Sequence, residues 1–265
     1  FTFPIEEFGE KGNFIFDTGS ERLVLNQQYF KTNATDKTVV SAGNTGLVAF
    51  ATEMMIDTLL IDQLFIPDLK AHVIDLSHIE LKKNTRIIGI LGFDVFEEFE
   101  VFIDFQNSRI MLSRLDKNGI RMDSIRNYEM PNDSLRFELN RHVISVIATL
   151  NNVKLNLMLD SGAELNLIDR KVSRHVLDSF TVIKRVNLIG MGKKQVEVLA
   201  GSLRGLKVGN EKCSSMNTLL TSLDDINRNF GLSLDGVLGY EFLSTRRVLI
   251  NYKKRKLYFF NPQRS

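Results

Sequence analysis

Asn13-Phe14-Ile15-Phe16-Asp17-Thr18-Gly19-Ser20-Glu21 reads as an apolar strand ending in a carboxylate and a tight turn, and the pattern occurs twice. Its second copy, Asn156-Leu157-Met158-Leu159-Asp160-Ser161-Gly162-Ala163-Glu164, stands 143 residues later, Asp17 to Asp160. Each copy runs on into another apolar stretch, Leu23-Val24-Leu25 in the first and Leu167-Ile168 in the second. Further along, Gly89-Ile90-Leu91-Gly92-Phe93 returns as Gly236-Val237-Leu238-Gly239-Tyr240, at an offset of 147 from Gly92 to Gly239. That offset also lays Val101-Phe102-Ile103-Asp104-Phe105 over Val248-Leu249-Ile250-Asn251-Tyr252, and Arg109-Ile110-Met111-Leu112 over Lys256-Leu257-Tyr258-Phe259. Matched blocks in one order and at nearly one spacing point to an ancestral unit used twice.

Between these blocks, runs of four to eight β-branched, aromatic and aliphatic residues alternate with turn clusters such as Gln106-Asn107-Ser108, Asn151-Asn152 and Gly209-Asn210. This is strand chemistry. Helical patterns are few and short: Phe93 to Phe99, Tyr240 to Leu243, and the stretch from Arg170 to Ser179. The reading is an all-β fold of two lobes, residues 1–120 and 135–265, joined by a polar linker over 121–134 that holds Pro131-Asn132-Asp133. Residues Leu135 to Asn152 supply a strand and a hairpin ahead of the second motif, whereas only twelve residues precede Asn13. The first lobe is therefore expected to lack a strand, or to have lost a loop.

A carboxylate leaving a buried strand is costly unless N–H groups and hydroxyls satisfy it. Gly19 and Gly162 remove the Cβ that would hold the backbone away, and Thr18 and Ser161 place a hydroxyl one residue past each Asp. If a pseudo-twofold axis relates the two turns, the carboxyls meet. Two carboxyls about 3 Å apart cannot both ionise, so they share one proton. The ionised member can then take a proton from water while the protonated one hydrogen-bonds a scissile carbonyl.

The sequence resembles the aspartic proteases, the superfamily of pepsins and retroviral proteases, and in particular a single-chain fusion of two retropepsin-like halves of bacterial type. A lone Asp-[Thr/Ser]-Gly-[Ser/Ala] arises by chance in roughly one chain in fifty of this length. Two copies, each followed by an apolar-apolar-Gly element (Ile90-Leu91-Gly92, Val237-Leu238-Gly239), are a far more specific signal. The resemblance implies a pepsin-like bilobal fold and an endopeptidase that cuts extended polypeptides with Asp17 and Asp160 as its catalytic pair. It implies that Gly19, Ser20, Gly162 and Ala163 shape the two turns, and that Thr18 and Ser161 interlock beneath the pair. Gly92 and Gly239 would buttress the turns. Ser20 would donate its hydroxyl to Asp17 and make it the preferred anion, which Ala163 cannot do for Asp160. No Tyr lies between Tyr29 and Tyr128, so the flap tyrosine of pepsins is absent. Each half instead carries a glycine-bearing flap candidate, Gly43-Asn44-Thr45-Gly46 and Gly190-Met191-Gly192, as in the retroviral arrangement. The rival implication is an inactive relative that binds peptides in the same cleft.

The rest of the chain narrows the field. With 34 basic and 32 acidic residues the net charge is +2, which makes no electrostatic case for a nucleic-acid partner. The basic stretch Arg246-Arg247 with Lys253-Lys254-Arg255-Lys256 reads as a solvated hairpin. His72, His78, His142 and His175 have no metal-ligand spacing and occupy no matching positions in the two halves, so no metal site is expected, and hydrolysis by a carboxyl pair needs no cofactor. Cys213, the single cysteine, rules out an internal disulfide and reads as a structural or surface thiol. No run of about 18 apolar residues marks a membrane span. A fused pair has no need to dimerise, so a monomer is expected, with a polypeptide substrate as its partner. The chain opens on Phe1 rather than Met, the expectation for a trimmed or processed form; its compartment is left open, export included.

Overall fold

The computed structural model describes residues 2–7, 10–31, 38–42, 48–61, 64–123, 129–189 and 195–261. The chain is built mostly of strands, with five short helices among the described residues: α1 (Ser77–Lys83), α2 (Phe93–Phe96), α3 (Arg174–Leu177), α4 (Asp224–Phe230) and α5 (Tyr240–Leu243). The strands form three sheets.

The first sheet draws only on residues before Gly92. Its order is Thr2–Glu7, Glu10–Phe16, Ile87–Leu91, Leu23–Asn26, Leu64–Ile74, Val48–Ile61, Thr38–Ala42. The second draws on residues 138–238 and repeats that order with equivalent strands: Val143–Leu150, Val153–Leu159, Gly236–Leu238, Asn166–Asp169, Met216–Thr221, Gln195–Leu203, Phe180–Ile189. Registers match as well. Thr2 pairs with Ile15 and Glu7 with Glu10, as Ser145 pairs with Met158 and Leu150 with Val153. The first lobe therefore keeps the hairpin but, as expected, lacks the strand ahead of it: among the described residues nothing pairs along Thr2–Glu7 as Glu138–Asn140 pairs along Val143–Leu150. What the second half adds is the strand Glu138–Asn140 and the short hairpin of Lys207–Val208 and Glu211–Lys212, both paired along Val143–Leu150, and the strand Asp133–Arg136.

The third sheet joins the halves, in the order Asp133–Arg136, Lys256–Phe260, Arg247–Asn251, Phe99–Asp104, Arg109–Arg114. Its central antiparallel pair sets Val101 opposite Ile250, Phe102 opposite Leu249 and Ile103 opposite Val248. Each residue thus faces the equivalent of its own neighbourhood, and Phe102–Leu249 marks a local twofold axis. All residues of Phe99–Asp104 and Arg247–Asn251 are buried, which fits their near-continuous apolar runs. Aromatic contacts cross the same axis. Phe105 meets the Tyr240 ring edge-on at 5.0 Å, and the equivalent pair Tyr252 and Phe93 meets at 5.4 Å.

Two expectations change here. α1 and α4 occupy stretches with no helical reading, since seven residues burying at most one side chain leave no apolar stripe to detect. The basic hairpin is solvated only at its tip. Arg247 is 2% exposed and donates to the Asn261 carbonyl, while the Arg246 guanidinium lies over the Phe242 and Phe259 rings.

Candidate active site

Both motif strands owe their placement to apolar burial. Phe14, Phe16, Leu157 and Leu159 are fully enclosed, and each strand pairs in parallel with its glycine-element strand, Ile87–Leu91 or Gly236–Leu238. The Asp17 N–H then donates to the Leu91 carbonyl (3.1 Å) and the Asp160 N–H to the Leu238 carbonyl (3.0 Å), which fixes each Asp at a strand end. In each turn a carboxylate oxygen accepts from the glycine two residues on, Gly19 N–H to Asp17 Oδ1 at 2.9 Å and Gly162 N–H to Asp160 Oδ1 at 2.8 Å.

Beneath the turns the halves exchange hydrogen bonds reciprocally. The Thr18 N–H donates to Ser161 Oγ (3.0 Å), and the Ser161 N–H donates to Thr18 Oγ1 (3.0 Å). Each hydroxyl in turn donates to the opposite strand, Thr18 Oγ1 to the Leu159 carbonyl (3.3 Å) and Ser161 Oγ to the Phe16 carbonyl (3.0 Å). Both side chains are buried, so these four bonds satisfy groups that water cannot reach. They also hold the two turns in one fixed relation.

Asp17 and Asp160 come within hydrogen-bonding range of each other. Burial pushes Asp160, which is 3% exposed, well above the usual carboxylate range, and the negative charge of Asp17 pushes it further. Burial also raises Asp17, but the hydrogen bond from Asp160 and the N–H groups of Gly19 and Ser20 oppose that rise. Both carboxyls are thus raised, Asp160 the further. The expected cause of this asymmetry is not the one found. The Ser20 hydroxyl donates to the Arg22 carbonyl (3.1 Å) rather than to Asp17.

Gly92 and Gly239 sit against the outer loop of each turn. A Cβ on Gly92 would lie 2.5 Å from the Arg22 carbonyl oxygen and 2.8 Å from that of Ser20; on Gly239 it would lie 2.7 Å from the Leu165 carbonyl oxygen and 2.6 Å from that of Ala163. The next residues complete the seam, with the Phe93 N–H donating to the Ser20 carbonyl (2.8 Å) and the Tyr240 N–H to the Ala163 carbonyl (2.7 Å). The flap candidates Gly43, Asn44, Thr45, Gly46, Gly190, Met191 and Gly192 lie outside the described residues.

Four features around the pair escaped the sequence reading. Glu164, four residues past Asp160, takes Lys82 Nζ at 2.9 Å and Lys83 Nζ at 3.0 Å from α1 of the other half. Its equivalent Glu21 has Oε2 3.8 Å from Nδ1 of His142, a buried ring. Asp94, at the start of α2, has both carboxylate oxygens buried without a hydrogen bond; burial raises it to about 7. The Tyr252 hydroxyl is buried and unbonded, and burial followed by the charge of Asp17 pushes it upward. The repeat itself offered the one available signal, since both motif copies end in Glu; nothing marked His142, Asp94 or Tyr252.

A family model described as aspartyl protease matches residues 146–242, a span that takes in the Asp160 turn, its strand and Gly239. No curated protein matches the chain. No helix of the described residues is long and apolar enough to cross a membrane, and no group of three metal-binding side chains occurs among them.

Proposed function

We propose, from the premise that the second half carries an aspartyl protease domain and the first half repeats its turn, that the chain is an aspartic endopeptidase with Asp17 and Asp160 as its catalytic pair. The supporting observation is the reciprocal Thr18–Ser161 exchange, which holds the two carboxyls in hydrogen-bonding range. Residues 1–120 and 135–265 act as the two lobes, with 121–134 between them, and the single chain works as a monomer.

The reaction needs no cofactor. Ionised Asp17 takes one proton from a water molecule, whose oxygen adds to the scissile carbonyl carbon, while Asp160 gives its proton to the carbonyl oxygen. The tetrahedral diol then collapses. The carbon–nitrogen bond breaks, the amine leaves with the proton held by Asp17, and a diol hydroxyl returns its proton to Asp160. Preorganised N–H donors at Gly19 and Gly162 hold both carboxyls without reorganisation during these transfers. An extended polypeptide suits such a site, because backbone hydrogen bonds give affinity and alternate side chains give selectivity.

Incubation with an unfolded protein across a pH series, with and without a statine-type inhibitor, tests the reading. Inhibitor-sensitive cleavage that Asp160→Asn abolishes is the expected result. Inhibitor binding without any cleavage would replace the enzyme with a peptide-binding relative.

A further inference from the structure

The two motif glutamates are equivalent in sequence, and each reaches toward the other half of the molecule, yet their partners differ in kind. Glu164 is clamped by two lysines of α1, which carry charge at any pH near neutrality. α4 stands 147 residues on from α1, so Asn229 and Phe230 occupy the places of Lys82 and Lys83. Neither can supply a cation. Instead Phe230 packs edge-on against the His142 ring at 5.3 Å, and that ring turns Nδ1 toward Glu21. His142 is 3% exposed, its Nδ1 makes no hydrogen bond, and its ring also faces the backbone of Gly19, whose N–H holds Asp17 Oδ1.

We propose that His142 is a positioning residue for the Asp17 turn, fastening that turn to the second half through Glu21 and Gly19 when its ring is protonated. The proposal rests on the catalytic reading of Asp17. One clamp of the pair is then permanent and the other closes with acidity. The groups that face the ring set where it closes. Burial lowers its affinity for a proton, Arg141 beside it and Arg22 on the Asp17 side lower it further, and Glu21 raises it. α4 faces it with apolar Phe230. The ring therefore charges only below the ordinary histidine range. Once charged, Nδ1–H⁺ has an acceptor in Glu21, and the charged ring is drawn more strongly to the Gly19 backbone it faces.

Glu21 is half exposed, so Glu21→Gln should fold normally and isolates the contact. Two measurements test it. First, the His142 ring followed by NMR titration should lose its proton at lower pH in Glu21→Gln than in the parent; an unchanged or higher midpoint overturns the proposal. Second, kcat/KM of the parent over Glu21→Gln, read from pH 7 down to pH 4, should grow roughly two- to fivefold as His142 charges. A ratio constant across that range would reduce the contact to plain structure and overturn the proposal. If the parent protein cleaves nothing, the catalytic reading fails by itself. The titration, together with amide exchange at Gly19 slower in the parent than in Glu21→Gln at acid pH, then decides the fastening alone.

Discussion

Gly162 of the second half lies directly against the carboxylate of Asp17 in the first. A Cβ on Gly162 would stand 2.5 Å from Asp17 Cγ and 2.6 and 2.7 Å from its two oxygens. No heavy atom fits there, so the carboxyl reaches its partner only because position 162 has no side chain. Gly162→Ala is expected to displace the Asp17 carboxyl and cut kcat/KM by about a hundredfold or more. The Thr18–Ser161 bonds should keep the halves assembled, so circular dichroism should change little. Steady-state kinetics on a purified variant checks this, and retained turnover would remove Asp17 from the reaction.

Replacing either member of the pair by Asn separates catalysis from stability. Asp160→Asn and Asp17→Asn should each abolish turnover, because each carboxyl must both give and take a proton in one cycle. Stability should move the other way. A carboxyl whose folded-state pKa is raised binds protons more tightly folded than unfolded, so stability falls as pH rises from the unfolded value through the folded one. Asp160 is raised well above 3.8. Thermal melts should show Asp160→Asn more stable than the parent at pH 7, with the difference closing toward pH 4.

Ser20→Ala should be nearly silent. Its hydroxyl serves the Arg22 carbonyl, one ordinary hydrogen bond worth about 1 kcal/mol net. The acid limb of kcat/KM should stay in place, because the donors that favour the Asp17 anion are backbone N–H groups and the Asp160 proton. An acid limb displaced toward neutral pH would place the Ser20 hydroxyl on Asp17 after all.

Much of this arrangement was legible in the chain. The repeated turn and glycine element placed Asp17, Asp160, Gly92 and Gly239, because close backbone approach demands particular residues at particular places. The contacts between halves were not legible. His142, Lys82 and Lys83 reach their partners through the twofold relation of the lobes, and no local period records which residue faces which across that axis. Arg247 looked like one more surface cation, yet it is buried against the Asn261 carbonyl, since a charge run reveals composition and not the strand face it lies on. Gly162 was read correctly as a position without Cβ. That the close approach is made by the opposite carboxylate, and not its own, needed the assembled halves.

Asp94 shows how the two halves diverged around a shared frame. Its equivalent, Glu241, has Oε1 accepting from both the N–H and the side-chain amide of Asn217. In the first half the side chain is one methylene shorter, and Lys70 stands where Asn217 does, a position fixed by Ala71 pairing with Leu23 as Thr218 pairs with Asn166. The Leu23 and Val95 N–H groups and the Arg22 charge favour the anion, but no full hydrogen bond closes on either oxygen. Burial dominates and raises Asp94 from 3.8 to about 7. The sign follows from that rise: folded Asp94 costs nothing below pH 3.8, and stability is lost as pH climbs from 3.8 through 7. Asp94→Asn removes the ionisation while keeping the shape. It should therefore stabilise the protein above pH 7 by a few kcal/mol at most, and by little or nothing at pH 4. Urea unfolding of both proteins at the two pH values measures the difference directly. Equal stabilities at pH 8 would mean that the Asp94 carboxylate finds solvent or a partner when it ionises.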